Sequence, residues 1–284
     1  MSRTVYVNGA FLPESEGQVS IFDRGLLFSD AVYEVTAVLE GGLVDFDAHQ
    51  ARLQRSLGEM SIAFDPEAAD LLGIHRELVK RNHLGEGLVY LQISRGEADR
   101  SFVQSNSGAP TLILFTQAMS LANHPDAARG LRVMTGPDLR WHRRDIKTTQ
   151  LLYPSMMKTA ALEAGVDDVW MVENGFVTEG SSSNAHILTH DGRLITRHLS
   201  SDILGGITRA AVLAQAEETG LTVETRPFTV DEAFAAREAF ITSATAFVTP
   251  VIEIDGHSVG DGRPGPQVAA LRRRYLEESR RRLQ

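Results

Sequence analysis

The sequence predicts a mixed α/β chain, of the α+β kind, in two domains. Three observations lead there. Strand-like runs and helix-period runs alternate along all 284 residues. The polar stretch MSLANHPDAAR, residues 119–129, separates two such mixed halves and reads as a linker. Composition is ordinary for a globular protein, 43% hydrophobic and 23% charged, with ample length for a large core. The expected domains are residues 1–118 and 130–284.

In the first half TVYVNGAF is strand-like, and YEVTAVLEGGLVDF reads as two strands about a Gly41-Gly42 turn. A helix starts near Asp47, with Asp47 and Gln50 as a capping box and Leu53, Leu57 and Met60 on one stripe. PEAADLLGIHRELVKRN is a second helix, and LVYLQISR and TLILFTQ are strands. In the second half LRVMTG is a strand, and LLYPSMMKTAALEAG is a helix with Gly165 past its end. VWMVENGFVTEG is a hairpin, because Asn174-Gly175 suits a type I′ turn. GGITRAAVLAQAEETG opens a helix with two glycines, and EAFITSATAFVTPVIEIDG is strand-like. The final helix, PQVAALRRRYLEESRRRL, carries arginines expected on a solvated face with Glu277 and Glu278.

Composition also excludes functions. A net charge of -9 gives bulk nucleic-acid binding no electrostatic support. With no cysteine there is no disulfide, thiolate zinc site or thiol nucleophile, and no metal is expected. MSRTVYVNGAF has neither an apolar signal run nor transit-peptide character. No stretch offers ~18 uninterrupted apolar residues, so no membrane span is expected and the anticipated location is cytoplasmic.

Four segments could carry chemistry. RWHRRDIKTTQLLYP sets Lys147 between Ile146 and Thr148-Thr149, a less polar surround than most lysines have. A desolvated lysine near other cations, for which Arg143 and Arg144 are candidates, becomes nucleophilic at neutral pH and suits Schiff-base formation with a carbonyl. In VTEGSSSNAH, Glu179 ends a hairpin strand, where a carboxylate could face a basic ring nitrogen. LGGITRAAV opens glycines onto a helix whose N–H groups, with the Thr208 hydroxyl, favour an anion. TSATAF is a second small-residue loop able to donate N–H groups to a phosphate, and Arg52 could add charge.

Taken in order and spacing, DRGLLFSDAVYEV, AHQARL, RWHRRDIKTTQLL, VTEGSSSN, GGITR and TSATAF resemble the fold-type IV pyridoxal-phosphate enzymes over essentially the whole chain, and among them the D-amino acid aminotransferases. The resemblance implies a small N-terminal α/β domain, a larger C-terminal pseudo-barrel domain and a homodimer. It implies pyridoxal 5′-phosphate as cofactor, held by Lys147 as a Schiff base, with Glu179 on the pyridine nitrogen. Arg52, Ile207, Thr208, Ser243 and Ala244 match the phosphate cradle, and Leu204 an apolar contact to the ring. Tyr33 and Arg100 match the group that binds the substrate carboxylate. Where these enzymes carry Arg-x-His, this chain has Arg100-Ser101-Phe102, so the histidine arm is missing. The implied reaction moves an amino group from a D-amino acid to a 2-oxo acid, with side activity on (R)-primary amines where Phe102 relaxes the demand for a carboxylate. Aminodeoxychorismate lyase and branched-chain L-amino acid aminotransferase are the alternatives on the same fold.

Overall fold

The structure, a computed structural model, describes residues 2–104 and 108–284. The chain forms two compact units. The first takes the chain to Leu121 together with Ile146–Gln150 and Arg282–Gln284; the second takes Ala122–Asp145 and Leu151–Arg281. The stretch expected as a linker is therefore structured at its end, where Pro125–Arg129 form a short helix.

In the first unit the strands β1 (Thr4–Val7) and β2 (Ala10–Pro13) are followed by the short helix α1 (Arg24–Phe28), then by β3 (Ala31–Leu39) and β4 (Gly42–Leu43). Helices α2 (Phe46–Glu59) and α3 (Leu71–Arg81) come next, and β5 (Gly87–Ser94) and β6 (Thr111–Ala118) close the series. All pairings in the six-stranded sheet are antiparallel, in the order β2-β1-β6-β5-β3-β4. TVYVNGAF is a hairpin rather than one strand: Asn8 and Gly9 both take positive φ, 45° and 100°, as a two-residue loop requires. The β3–β4 turn lies on Glu40-Gly41, one residue earlier than expected, with Leu39 opposite Gly42. Helix α2 begins at Phe46 behind a left-handed Asp45, so Asp47 and Gln50 do not form its cap. Leu53 and Leu57 are buried as expected. Helix α3 starts a turn late because the Asp70 carboxylate caps it by accepting from Gly73 N–H.

Two separate pieces complete this unit. Ile146–Gln150 runs antiparallel beside the start of β3, where Tyr33 N–H donates to the Lys147 carbonyl (3.0 Å) and Thr149 N–H to the Ala31 carbonyl (3.1 Å). Farther along, Leu43 and Gln284 exchange both main-chain bonds (2.9 and 3.1 Å).

The second unit opens with that short helix, α4 (Pro125–Arg129), and β7 (Leu131–Pro137). It continues through α5 (Leu152–Glu163), β8 (Asp168–Glu173), β9 (Phe176–Gly180), β10 (Asn184–Leu188) and β11 (Arg193–Thr196). The remaining elements are α6 (Ile207–Glu218), β12 (Thr222–Thr225), α7 (Val230–Phe234), β13 (Glu238–Ser243), β14 (Phe247–Ile254), β15 (His257–Ser258) and α8 (Pro266–Arg281). Its nine-stranded sheet runs β12-β11-β10-β13-β14-β7-β8-β9, with β15 on β14. The pairs β11–β12, β14–β7 and β7–β8 are parallel. The core is built on Val133, Trp170, Val177, Ile187, Phe228 and Ile241, each buried; burying a side chain of this size contributes about 1.5–3 kcal/mol before entropy is counted.

Asn174 and Gly175 adopt φ of 53° and 81°, the geometry their pairing predicts for the β8–β9 turn. EAFITSATAFVTPVIEIDG is two antiparallel strands folded at residues 244–246. Arg272 of α8 departs from the expected solvated face. It is buried and donates through Nη1 to the carbonyls of Ala246 and Val248, both at 2.8 Å, and through Nη2 to that of Ala122 (3.0 Å). Main-chain acceptors make burial of this cation tolerable. Among the described residues no helix is long and apolar enough to cross a membrane.

Candidate active site

Lys147 is placed by the strand-like segment beside β3. Its Nζ lies 4.2 Å from the centroid of the Tyr33 ring, and among the described residues it forms no ion pair. A cation over an aromatic face is attracted to it without being neutralised. Tyr33 stacks on Tyr90 (5.6 Å between centroids), and Tyr90 on Phe115 (4.8 Å), so the ring beneath the amine is backed by a ladder across β3, β5 and β6.

The period-two alternation of β3 turns its next residue, Glu34, to the opposite face. There Arg52 of α2 forks onto it, Nε to Oε1 and Nη2 to Oε2, both at 2.8 Å, and His49 Nδ1 is 2.7 Å from Oε2. Burial pushes the Glu34 carboxyl up, but the charge and hydrogen bonds of Arg52, helped by His49, outweigh it and bring it to about 2. Arg52, expected beside a phosphate, is oriented by this fork.

Arg100 and Phe102 lie on an exposed stretch of the same unit. The Phe102 ring, 81% exposed, meets Phe28 edge to face at 5.6 Å. The Arg100 guanidinium sits 5.5 Å from the Phe28 centroid and 5.4 Å from that of Phe102. Arg24, paired with the buried Asp30 (2.8 Å), anchors the stretch by donating to the Ser101 carbonyl at 2.7 Å. No hydrogen bond or ring contact joins Arg100 to Tyr33 among the described residues.

In the second unit Glu179 is buried near the end of β9. Its Oε2 accepts from Leu204 N–H (3.1 Å) and Asn184 Nδ2 (3.0 Å), and its Oε1 from Arg140 Nη1 (2.6 Å). Burial raises this carboxyl above its ordinary value, and Arg140 and the Leu204 N–H pull against that. Leu204 thus holds the acid through its main chain, and its carbonyl also accepts from Asn184 Nδ2 (2.9 Å). Arg143 and Arg144 do not stand as uncompensated cations: Arg143 pairs with Asp145 (3.0 Å), and Arg144 with Glu173 (2.9 Å) and Asp138 (3.3 Å). The positive run beginning at Arg140 is thus matched by carboxylates.

Ile207 and Thr208 form the first turn of α6, whose N-cap, Gly206, offers no side-chain cap. Gly206 has an ordinary φ of -68° and is needed for space, since a Cβ there would fall 2.1 Å from Asn184 Oδ1. The free N–H groups of that turn, the buried Thr208 and the dipole of a twelve-residue helix suit an anion. The Ser183 hydroxyl is buried with no hydrogen-bond partner among the described residues. Ser243 and Ala244 enter the β13–β14 turn, where Ala246 N–H donates to Ser243 Oγ (3.0 Å) and Phe247 is held at φ 55°, unusual for an aromatic residue. Arg140, Asp138 and Asn184 were not foreseen. The signal for the first two was Asp138-x-Arg140, which puts both side chains on one side of an extended segment.

The model of the class IV amino-transferase family matches residues 31–254. The chain belongs to that family. Over 262 residues it is 39% identical to the D-alanine aminotransferase of Bacillus licheniformis, covering 92% of each chain. Over 277 residues it is 33% identical to that of Staphylococcus aureus (strain MSSA476), covering 96% of this chain and 98% of the relative. The branched-chain amino acid aminotransferase of Escherichia coli superposes with a TM-score of 0.89 at 21% identity, over 98% of this chain and 94% of that one, which is likeness of fold.

The cofactor of this class is pyridoxal 5′-phosphate, and the residues present fit it. Among the described residues the chain offers an amine without an ion-pair partner, a buried carboxylate, near that carboxylate in sequence a buried hydroxyl lacking a partner, and an open helix N-terminus.

Proposed function

We propose that this chain is a pyridoxal-phosphate-dependent aminotransferase that takes the amino group from a D-amino acid of the D-alanine or D-glutamate class and delivers it to a 2-oxo acid. The observation that carries the reading is Lys147: a lysine at the position the family motif reserves, lying over an aromatic ring and, among the described residues, with no acid to neutralise it. Identity to the D-alanine aminotransferases over nearly the whole chain supports the choice of donor.

When bound, the cofactor supplies a carbonyl carbon and a pyridine ring that withdraws electrons from the substrate Cα. Lys147 would hold it through Nζ and, once that nitrogen is freed, would move the donor's Cα proton to C4′ of the cofactor in one half-reaction and from C4′ to Cα in the other. Glu179 accepts the hydrogen bond of the ring nitrogen. The first turn of α6 at Ile207 and Thr208, the Ser243-Ala244 turn and Arg52 hold the phosphate. Tyr33 and Arg100 hold the substrate carboxylate, and Leu204 packs on the ring. Which face of Cα meets Lys147 fixes the D configuration, a matter of geometry rather than of reagent. The working form is a homodimer in the cytoplasm, with the amino donor and the 2-oxo acid as its small-molecule partners. Mixing the yellow holoenzyme with D-alanine, L-leucine or aminodeoxychorismate tests the reading. Bleaching of the visible band by D-alanine alone is expected, whereas bleaching by L-leucine or release of pyruvate from aminodeoxychorismate would replace it with one of the alternatives.

A further inference from the structure

Glu179 must carry its charge in a place that discourages charge. It is buried, and an isolated buried carboxyl takes up a proton. Leu204 N–H and Asn184 Nδ2 are neutral donors. Among the described residues Arg140 is the one cation bonded to it, at 2.6 Å, and Arg140 is itself fixed from behind. Its Nε and Nη2 fork onto Asp138 at 2.9 and 2.7 Å, leaving Nη1 for Glu179. Asp138 is tied back to the Glu179 strand by Thr178 Oγ1, which donates to it at 2.6 Å, and its own N–H donates to the Val172 carbonyl (2.9 Å). Arg144 backs Asp138 at 3.3 Å. The other charged groups that act on Glu179 are Asp138, whose like charge raises it, and Arg209 of α6, whose Nη2 donates to the Arg197 carbonyl (2.8 Å).

We propose that Arg140, clamped by Asp138, is a positioning residue that keeps Glu179 an ionised and correctly aimed acceptor for the cofactor's ring nitrogen. The inference rests on the assignment of Glu179 to that nitrogen. A charge-assisted hydrogen bond stabilises the carboxylate where the two neutral donors alone do not offset burial. Asp138 fixes Arg140 and balances its charge, so that net positive charge is not turned toward a protonated ring, while its own like charge raises Glu179 and is outweighed by the direct Arg140 bond. A protonated Glu179 would instead present a neutral acid that stabilises no ring N–H⁺.

The test uses the full chain resolved of cofactor and pyridoxine 5′-phosphate, which has the ring and the phosphate but no aldehyde for Lys147 to attack. Affinity is measured by calorimetry as pH is lowered. Without Arg140 the Glu179 carboxyl gains protons at higher pH, so the fall in affinity on the acid side of the profile should move upward in Arg140→Gln by about one pH unit or more, a tenfold change in proton affinity. Arg140→Lys, which keeps the charge, should restore most of the wild-type profile. The Asp138→Asn/Arg140→Gln double variant should keep an upward shift relative to wild type, smaller than that of Arg140→Gln for want of the like charge of Asp138, and a full return to the wild-type profile would assign the shift to Asp138 and overturn the proposal. An acid limb in Arg140→Gln that superimposes on wild type, or a loss of affinity equal at every pH as a packing defect would give, overturns the proposal. Glu179→Gln separates this failure from that of the underlying assignment. It should bind weakly and lack the limb; unchanged affinity and profile in that variant would remove Glu179 from the ring nitrogen altogether.

Discussion

Replacing Glu34 by glutamine keeps the shape of the side chain but removes the charge onto which Arg52 forks and which His49 meets at 2.7 Å. The folded carboxyl is lowered from its ordinary 4.5 to about 2 although burial alone would raise it. At about 1.4 kcal/mol per pH unit this is on the order of 3 kcal/mol of stability at neutral pH, within the range of about 3–5 kcal/mol found when one partner of a buried pair is removed. The sign follows from the depressed value. The unfolded chain binds more protons than the folded one between the two pKa values, so the contribution is fully present above about pH 5 and is lost as pH falls toward about 2. Glu34→Gln should therefore be less stable than wild type by about 3 kcal/mol near neutrality, with the gap narrowing steadily in acid. Urea titrations at several pH values measure it. Both tryptophans, Trp141 and Trp170, belong to the second unit, so circular dichroism read against tryptophan fluorescence separates loss of the first unit from loss of the second. A gap that stays constant down to about pH 3 would refute the electrostatic account.

Lys147→Ala should abolish the visible band and essentially all turnover while leaving the far-ultraviolet spectrum intact, and borohydride should fix the cofactor on the Lys147 peptide of the wild type; a label on any other lysine would refute the assignment. Glu179→Gln should lower kcat by about a hundredfold, the rate equivalent of about 3 kcal/mol, and near-normal turnover would remove that residue from the site. Arg100→Ala should weaken kcat/KM for D-alanine by about 1–3 kcal/mol and spare a slow reaction with (R)-1-phenylethylamine, because an exposed Phe102 beside Arg100 offers apolar surface where a histidine would offer a hydrogen bond. Phe102→His should shift the balance toward D-alanine, and equal losses for both donors in Arg100→Ala, or no amine turnover in wild type, would defeat this reading.

The sequence made the regular parts legible because their signals are local. The Asn174-Gly175 turn, the Gly-Gly entry to α6 and the alternation of β5 depend on a few neighbouring residues and emerged as expected. Misplaced features had two origins, a choice between closely similar local geometries and partners distant in sequence. The β3–β4 turn prefers Glu40-Gly41 because Leu39 pairs with Gly42, and α2 starts at Phe46 because Asp45 takes the left-handed conformation. Arg272 looked like one of a row of surface arginines, yet it is buried because carbonyls at Ala122, Ala246 and Val248 accept its protons. The same limit applied at the site. Lys147 and Glu179 could be singled out from short motifs, whereas the Arg140–Glu179 contact joins residues 39 apart in sequence that no motif links.

The threading of the first unit sets an order on how the protein can be made. Its body is complete in sequence by Leu121, yet the partners of Ala31 and Tyr33 lie at Lys147 and Thr149, and those of Leu43 at Gln284. A nascent chain emerging from the ribosome therefore leaves main-chain groups of Ala31 and Tyr33 unmet until residues 147–149 are made, and those of Leu43 until Gln284 is made. Contacts of such long sequence separation form late and slowly. The segment that carries Lys147 pairs with a strand made more than a hundred residues earlier, and a gene cut after Leu121 would separate β3 from its Lys147 neighbour.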